Sequence, residues 1–201
     1  MEAPFVSDFT YSNEPVFSPD GASLNFTGSK AKGSIDLWRV ERKAGEWGVP
    51  VALPAPINSG GKDHRGSSTS DGTMYFCSNR SGMMQVYRAH EGAGGKLAAE
   101  LLGAPINVNA YDGDPCVAPD GRYLVFYSGR DGKSAELLVS FRDEQGSWGA
   151  PVNLGSEFNS PNDEYGAHLS SDGRFLFFTR HTPQGNTIYW VAAAAIDKLK
   201  P

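Results

Sequence analysis

An Asp-Gly pair in a constant setting occurs four times: Ser18-Pro19-Asp20-Gly21, Thr69-Ser70-Asp71-Gly72, Ala118-Pro119-Asp120-Gly121 and Ser170-Ser171-Asp172-Gly173, with the Asp residues 51, 49 and 52 positions apart. Self-similarity at that period means one supersecondary unit copied along the chain, each copy stabilised by its neighbours. Each Asp-Gly precedes an alternating apolar run: Leu24/Phe26, Met74/Phe76, Leu124/Phe126 and Leu176/Phe178. Period-two alternation marks a strand. Asp-Gly before it marks a tight turn, because Gly accepts positive φ and Asp can bond its own backbone. In repeats one and three a Pro one residue earlier fixes φ at the start of the turn.

The copies agree further downstream. A second strand follows in each: Ile35–Val40, Gln85–Ala89, Glu136–Ser140 and Thr187–Val191. Next comes Trp47-Gly48-Val49-Pro50-Val51-Ala52-Leu53, with its counterpart Trp148-Gly149-Ala150-Pro151-Val152-Asn153-Leu154, weakened in repeat two to Leu97 through Leu102. Ile57-Asn58, Ile106-Asn107 and Phe158-Asn159 then precede Asp63, Asp112 and Glu164 by a fixed six residues from the Ile or Phe. Four short strands per unit of about 50 residues describe a blade of a β-propeller. A β-sandwich gives no reason for a fixed 50-residue repeat. The expected fold is therefore all-β: four roughly 50-residue, four-stranded blades at about 13–62, 63–111, 112–163 and 164–201, forming a single domain. Ala192 through Leu199 read as a short C-terminal helix.

Ser-Pro-Asp-Gly, then Leu-x-Phe, then Ile-x-Leu-Trp or Ile-Tyr-Trp resembles the TolB-like, Pro-Asp-Gly family of WD-like β-propeller repeats, and the resemblance runs from about Asn13 to Val191. It implies the propeller fold and, since such proteins are often exported, a periplasmic or secreted location. Many members have more blades than four. Repeat four has no Trp-Gly-x-Pro strand, whereas Pro4-Phe5-Val6-Ser7-Asp8-Phe9 looks like a loose copy of the missing outer strand. Residues 4–9 completing the last blade would pair an otherwise exposed edge and close a four-bladed ring. The alternatives are a fragment of a longer ring, or a half-ring that pairs with a second copy as a homodimer.

Composition narrows the partners. The net charge of -5 among 201 residues argues against a non-specific nucleic-acid binder. No apolar run approaches the roughly 20 residues of a membrane span. Met1-Glu2-Ala3-Pro4 lacks the basic start and apolar stretch of a secretory signal, so either the protein stays in the cytoplasm or the chain is a mature form. Two cysteines, Cys77 and Cys116, make no disulfide framework and match no metal motif; Cys77 falls on a strand and reads as structural.

Candidate site residues come from the loop before each innermost strand, which such blades place at one channel mouth. Eight residues before each turn Asp stand Ser12, Asp63, Asp112 and Glu164; two later come Glu14, Arg65, Asp114 and Gly166. A ring of acids converging near the axis would suit a hard divalent cation such as Ca²⁺. Alternatively, a recurring Asp or Glu caps its loop by accepting backbone N–H bonds. His64 and His168 break the repeat: His168 stands where Val16, Ser67 and Cys116 stand elsewhere. Facing each other across a four-bladed ring, the two could join Asp63, Asp112 and Glu164 as metal ligands or act as general bases. Otherwise His64 is a solvated loop residue and His168 lines the channel. Tyr11, Tyr111 and Tyr165 form an aromatic rim or anchor their loops. Trp38 and Trp190 are read as one repeat position, packed between blades.

Two functions follow. The first is a non-catalytic binding or scaffold module that holds a protein, peptide or glycan with His64, Arg65, Asp112, Asp114, Glu164, Tyr165 and His168. The second is a metal-assisted hydrolase or lyase acting on a carbohydrate or lactone at the same face. No nucleophile elbow, Walker loop, dinucleotide fingerprint or His-Glu-x-x-His is present.

Overall fold

The computed structural model describes residues 8–30, 34–108, 112–130, 132 and 134–201. Blade 1 contains β1 (Tyr11–Phe17), β2 (Ser23–Ser29), β3 (Asp36–Lys43), β4 (Glu46–Trp47) and β5 (Val51–Ala52); blade 2 contains β6 (Asp63–Ser68), β7 (Met74–Ser78), β8 (Gln85–Glu91) and β9 (Leu97–Leu101). Blade 3 contains β10 (Asp112–Val117), β11 (Tyr123–Ser128), β12 (Glu136–Phe141) and β13 (Val152–Asn153); blade 4 contains β14 (Asp163–Leu169), β15 (Phe175–Thr182) and β16 (Gly185–Ala192). Every pairing is antiparallel between chain neighbours, apart from β5, which returns to β3 beside β4. The four sheets stand as the blades of a propeller, as the repeat requires.

The turns obey the chemistry of Asp-Gly. Gly21, Gly72, Gly121 and Gly173 all have positive φ, between 67° and 88°. Each Asp accepts the backbone N–H two residues on, as Asp20 Oδ1 does from Ala22 at 2.9 Å. The turns deliver a constant register, in which Phe26, Phe76, Phe126 and Phe178 lie opposite Trp38, Tyr87, Leu138 and Tyr189. Trp190 therefore does not share a position with Trp38. It pairs with Phe177, one residue out of step, and a one-residue step moves a side chain to the other face of a strand. Among the described residues the expected inter-blade packing of Trp190 is absent, and the ring is exposed.

Burial is organised between blades. Leu37 packs with Met74, Phe76 and Tyr87; Val86 packs with Leu124, Phe126 and Leu138; Leu137 and Val139 pack with Leu176 and Phe178. In each case the first blade presents a β-branched or γ-branched aliphatic to the aromatic face of the next. Three asparagines lock the presenting strand. Asn58 takes both the N–H and C=O of Leu37, Asn107 those of Val86 and Asn159 those of Leu137, at 2.8–2.9 Å. This is why Asn follows Ile or Phe in those repeats.

Two expectations are corrected. The outer strand of repeat two, the weakest in sequence, is the longest at five residues, whereas the segments at Trp47 and Trp148 are broken: beyond Trp47, which closes β4, only Val51–Ala52 is strand, and beyond Trp148 only Val152–Asn153, because Pro50 and Pro151 have no N–H to donate. Blade 4 has three described strands. The helix is shorter than expected: α1 spans Ala194–Asp197, with Ile196 buried in the cluster between blades 3 and 4. As for residues 4–9, Phe9 packs edge-on against Phe26 and Trp38 of blade 1, at 5.1 and 4.8 Å. The segment thus ends on the first blade; Pro4 through Ser7 lie outside the described residues.

Candidate functional site

Each innermost strand slips register at one place: between Asn13 and Val16, His64 and Ser67, Gly113 and Cys116, and Tyr165 and His168. A bulge of this kind re-aims a side chain. The bulged residue is Glu14, Arg65, Asp114 or Gly166, and all four have left-handed backbones, with φ of 57°, 56°, 52° and 65°. For the three non-glycine residues this conformation costs on the order of 1–3 kcal/mol each, and such strain gathers at functional sites.

The bulges bring side chains from three blades into one layer. Arg65 Nε lies 2.8 Å from Glu14 Oε1 and 2.7 Å from Asp114 Oδ1. Glu14 Oε2 accepts from Thr27 Oγ1 at 2.7 Å, and His64 Nδ1 stands 3.7 Å away. Asp114 Oδ2 accepts the Gly166 N–H at 2.9 Å. The fourth blade has glycine at this position, and a Cβ there would sit 2.9 Å from Arg65 Nη1. Two acids share one cation, and their pKa values part. Burial works to raise that of Glu14, but His64, Arg65 and Thr27 outweigh it and hold it below its ordinary value. Burial pushes Asp114 up to about 6, with the charge of Glu14 adding to the rise and Arg65 opposing it.

This layer divides the axial space. On the side of the residues preceding the bulges lies a cavity of about 820 Å³, lined among others by Tyr11, Lys62, His64, Tyr127, Asp163 and Tyr165. On the other side lies one of about 370 Å³, lined by Val16, Ser67, Pro115, His168, Thr179 and Ile188. His64 and His168 therefore do not meet at one mouth. His168 stacks on Phe177, with ring centres 5.3 Å apart, and burial lowers its pKa.

Asp63, Asp112 and Glu164 are also placed otherwise than as a convergent ring. All three are fully buried, and each is held by an arginine of its own blade: Asp63 by Arg80 at 2.9 Å, Asp112 by Arg130 at 3.0 Å and Glu164 by Arg180 at 2.5 Å. Each also caps its loop through the backbone N–H of Ser59, Val108 or Ser160. The same arginines donate to carbonyls of the preceding loop, at Pro56, Ile106 and Phe158. Each of these carboxylates thus combines a loop cap with an ion pair inside its own blade. Among the described residues no group of three or more His, Cys, Asp or Glu is arranged to hold a metal ion.

Arg80, Arg130 and Arg180 were missed in the sequence, although they recur at intervals of 50 residues, close to the 49 and 52 that separate the acids. Glu14 was aligned there but not singled out as a site residue. Arg65, Asp114 and Tyr165 are at the layer or its larger cavity; Tyr111 lies outside the described residues. Cys77 and Cys116 are free and buried, which raises both thiol pKa values, that of Cys116 to about 12.

No family model matches this sequence, and no curated protein matches it. Solved structures do match its fold. TolB from Acinetobacter baumannii superposes with a TM-score of 0.61 at 18% identity, over 94% of this chain and 42% of that one. A TolB candidate from Agrobacterium tumefaciens gives 0.62 at 16% identity, over 93% and 64%. A gluconolactonase from Xanthomonas campestris gives 0.51 at 12% identity, over 97% and 81%. The chain spans less than two thirds of either TolB structure. At these identities the likeness is one of fold, and the fold is a TolB-like β-propeller.

Proposed function

We propose that this TolB-like propeller is a non-catalytic binding module that holds an extended segment of a protein or peptide partner in the larger axial cavity. The observation that carries the reading is the Glu14–Arg65–Asp114 layer, built by three non-glycine residues in left-handed backbone, a conformation that glycine adopts without strain at the same position of the fourth blade. A volume of about 820 Å³ is of ligand size, and rigid blades present its walls with little ordering left to do on binding. Lys62 and Arg65 suit backbone carbonyls and carboxylates, Glu14 and Asp163 suit N–H and ammonium groups, and Tyr11 and Tyr165 supply aromatic contact of the kind that anchors interfaces. Both signs of charge favour a peptide over a glycan.

A periplasmic or secreted location belongs to this proposal, in keeping with the repeat resemblance. Among the described residues no helix is long and apolar enough to cross a membrane. The metal-assisted hydrolase or lyase needs Asp63, Asp112 and Glu164 as ligands, and their arginine partners weigh against it. A metal chelator should accordingly leave the melting temperature unchanged.

Peptides selected on the wild-type protein from a random display library test the proposal by calorimetric titration. Binding should weaken at least about tenfold in both Arg65→Met and Tyr165→Ala, and remain unchanged in His181→Ala, whose side chain is exposed. Selected peptides that bind all three variants as tightly as wild type, or failure to select any, would contradict it.

A further inference from the structure

The smaller axial cavity takes no part in the peptide reading, and its walls have a character of their own. Val16, Pro115, Ala167 and Ile188 give it an apolar lining around about 370 Å³. Ile188 lies opposite Thr179, as Leu37 lies opposite Thr27, Val86 opposite Cys77 and Leu137 opposite Tyr127. Those three residues are fully buried between blades, whereas Ile188 is 71% exposed and borders the cavity. His168 lines the same space without adding charge at neutral pH, because burial lowers its pKa.

Where the cavity meets the axial layer, the lining changes to hydrogen-bond donors. Glu14, Arg65 and Asp114 fill the bulge position in three blades, and Gly166 leaves it open in the fourth. A Cβ at Gly166 would lie 2.9 Å from Arg65 Nη1 and 3.7 Å from Thr179 Oγ1, so both atoms border the space that a side chain there would take. Arg65 approaches its two acids through Nε, and among the described residues neither of its terminal nitrogens nor Thr179 Oγ1 has a hydrogen-bond acceptor. Fixed donors of this kind, few and set in an apolar pocket, are what orients a ligand. Charge decides which ligand. Glu14 and Asp114 already set two carboxyls against one guanidinium, so a further anion is repelled, whereas an uncharged oxygen meets no such opposition.

We propose that the smaller cavity binds a small apolar molecule through an uncharged carbonyl group, as in a ketone, ester or amide. The oxygen accepts from Arg65 Nη1 and Thr179 Oγ1, and the hydrocarbon part lies against Val16, Pro115 and Ile188. A volume of about 370 Å³ falls within the range of small-molecule pockets, roughly 300–1,000 Å³. The axial layer is common to both cavities but the walls are not: Thr179 and Ile188 line only the smaller one, Tyr11 and Tyr165 only the larger. This site and peptide binding can therefore fail separately.

Titration of the full chain with acetophenone, one aromatic ring bearing one uncharged carbonyl, tests the proposal through methyl NMR signals. Acetophenone should shift the methyl signals of Val16, Thr179 and Ile188 saturably. Benzoate, the same ring with a charged acceptor, should bind at least about tenfold more weakly, because it meets the two acids of the layer. Thr179→Val keeps the shape of the side chain and should leave the β-sheet spectrum unchanged. It should weaken acetophenone at least about fivefold, the loss of one hydrogen bond. No saturable shift at those methyls, benzoate binding as tightly as acetophenone, or Thr179→Val binding as tightly as wild type would each overturn the assignment.

Discussion

Asp114 carries a charge that its surroundings resist. Its carboxyl is buried, lies beside Glu14 and is relieved by Arg65, the Gly166 N–H and His64. The folded protein holds this proton up to about pH 6, whereas the unfolded chain releases it near the ordinary 3.8. The group therefore favours folding below about pH 4, and that contribution is lost as pH rises through 6. The loss amounts to about 3 kcal/mol. Asp114→Asn has no proton to release, so denaturant unfolding at pH 4 and pH 7 should show wild type losing about that much relative to the variant. Parallel profiles would show that the carboxyl does not titrate in this window. Removing the cation instead leaves two buried acids facing each other: Arg65→Met should cost about 3–5 kcal/mol at pH 8, and less at pH 5, where Asp114 can stay protonated.

At the scale of strands and turns, the repeat was largely legible because Asp-Gly, the alternating Leu-x-Phe and the Ile-Asn step each do one physical job. Phe126 is buried in the cluster between blades 2 and 3, so Phe126→Ala should cost about 3–5 kcal/mol. His181 is exposed and its ring bonds Asn186 across the hairpin, so His181→Ala should cost under about 0.5 kcal/mol. Equal losses in thermal melts would contradict the assigned faces. Arg130→Met takes the cation away from fully buried Asp112 and should cost about 3–5 kcal/mol in the same assay. What the sequence hid has specific causes. The acids were seen to recur, but their arginines lie 16 to 18 residues further on, across the hairpin, and only pairing brings them together. The bulges were hidden because Glu14 and Arg65 are not residues that announce a left-handed backbone; of the four, Asp114 and Gly166 alone hinted at it. Trp190 was misplaced by one residue because Ile-Tyr-Trp and Leu-Trp look alike when aligned on Trp, whereas the strand register aligns Trp38 with Tyr189.

For the whole molecule, the account rests on four blades whose inner strands converge, so that residues far apart in sequence act on one another. Glu14 and Arg65 belong to different blades, and nothing but the propeller places them 2.8 Å apart. A double-mutant cycle measures that convergence directly, from the unfolding free energies of wild type, Glu14→Gln, Arg65→Met and the double variant at pH 7. The arrangement predicts a coupling of about 1–3 kcal/mol between the two positions. Losses that add to within about 0.5 kcal/mol would mean that the two side chains do not meet and that the axial layer does not exist.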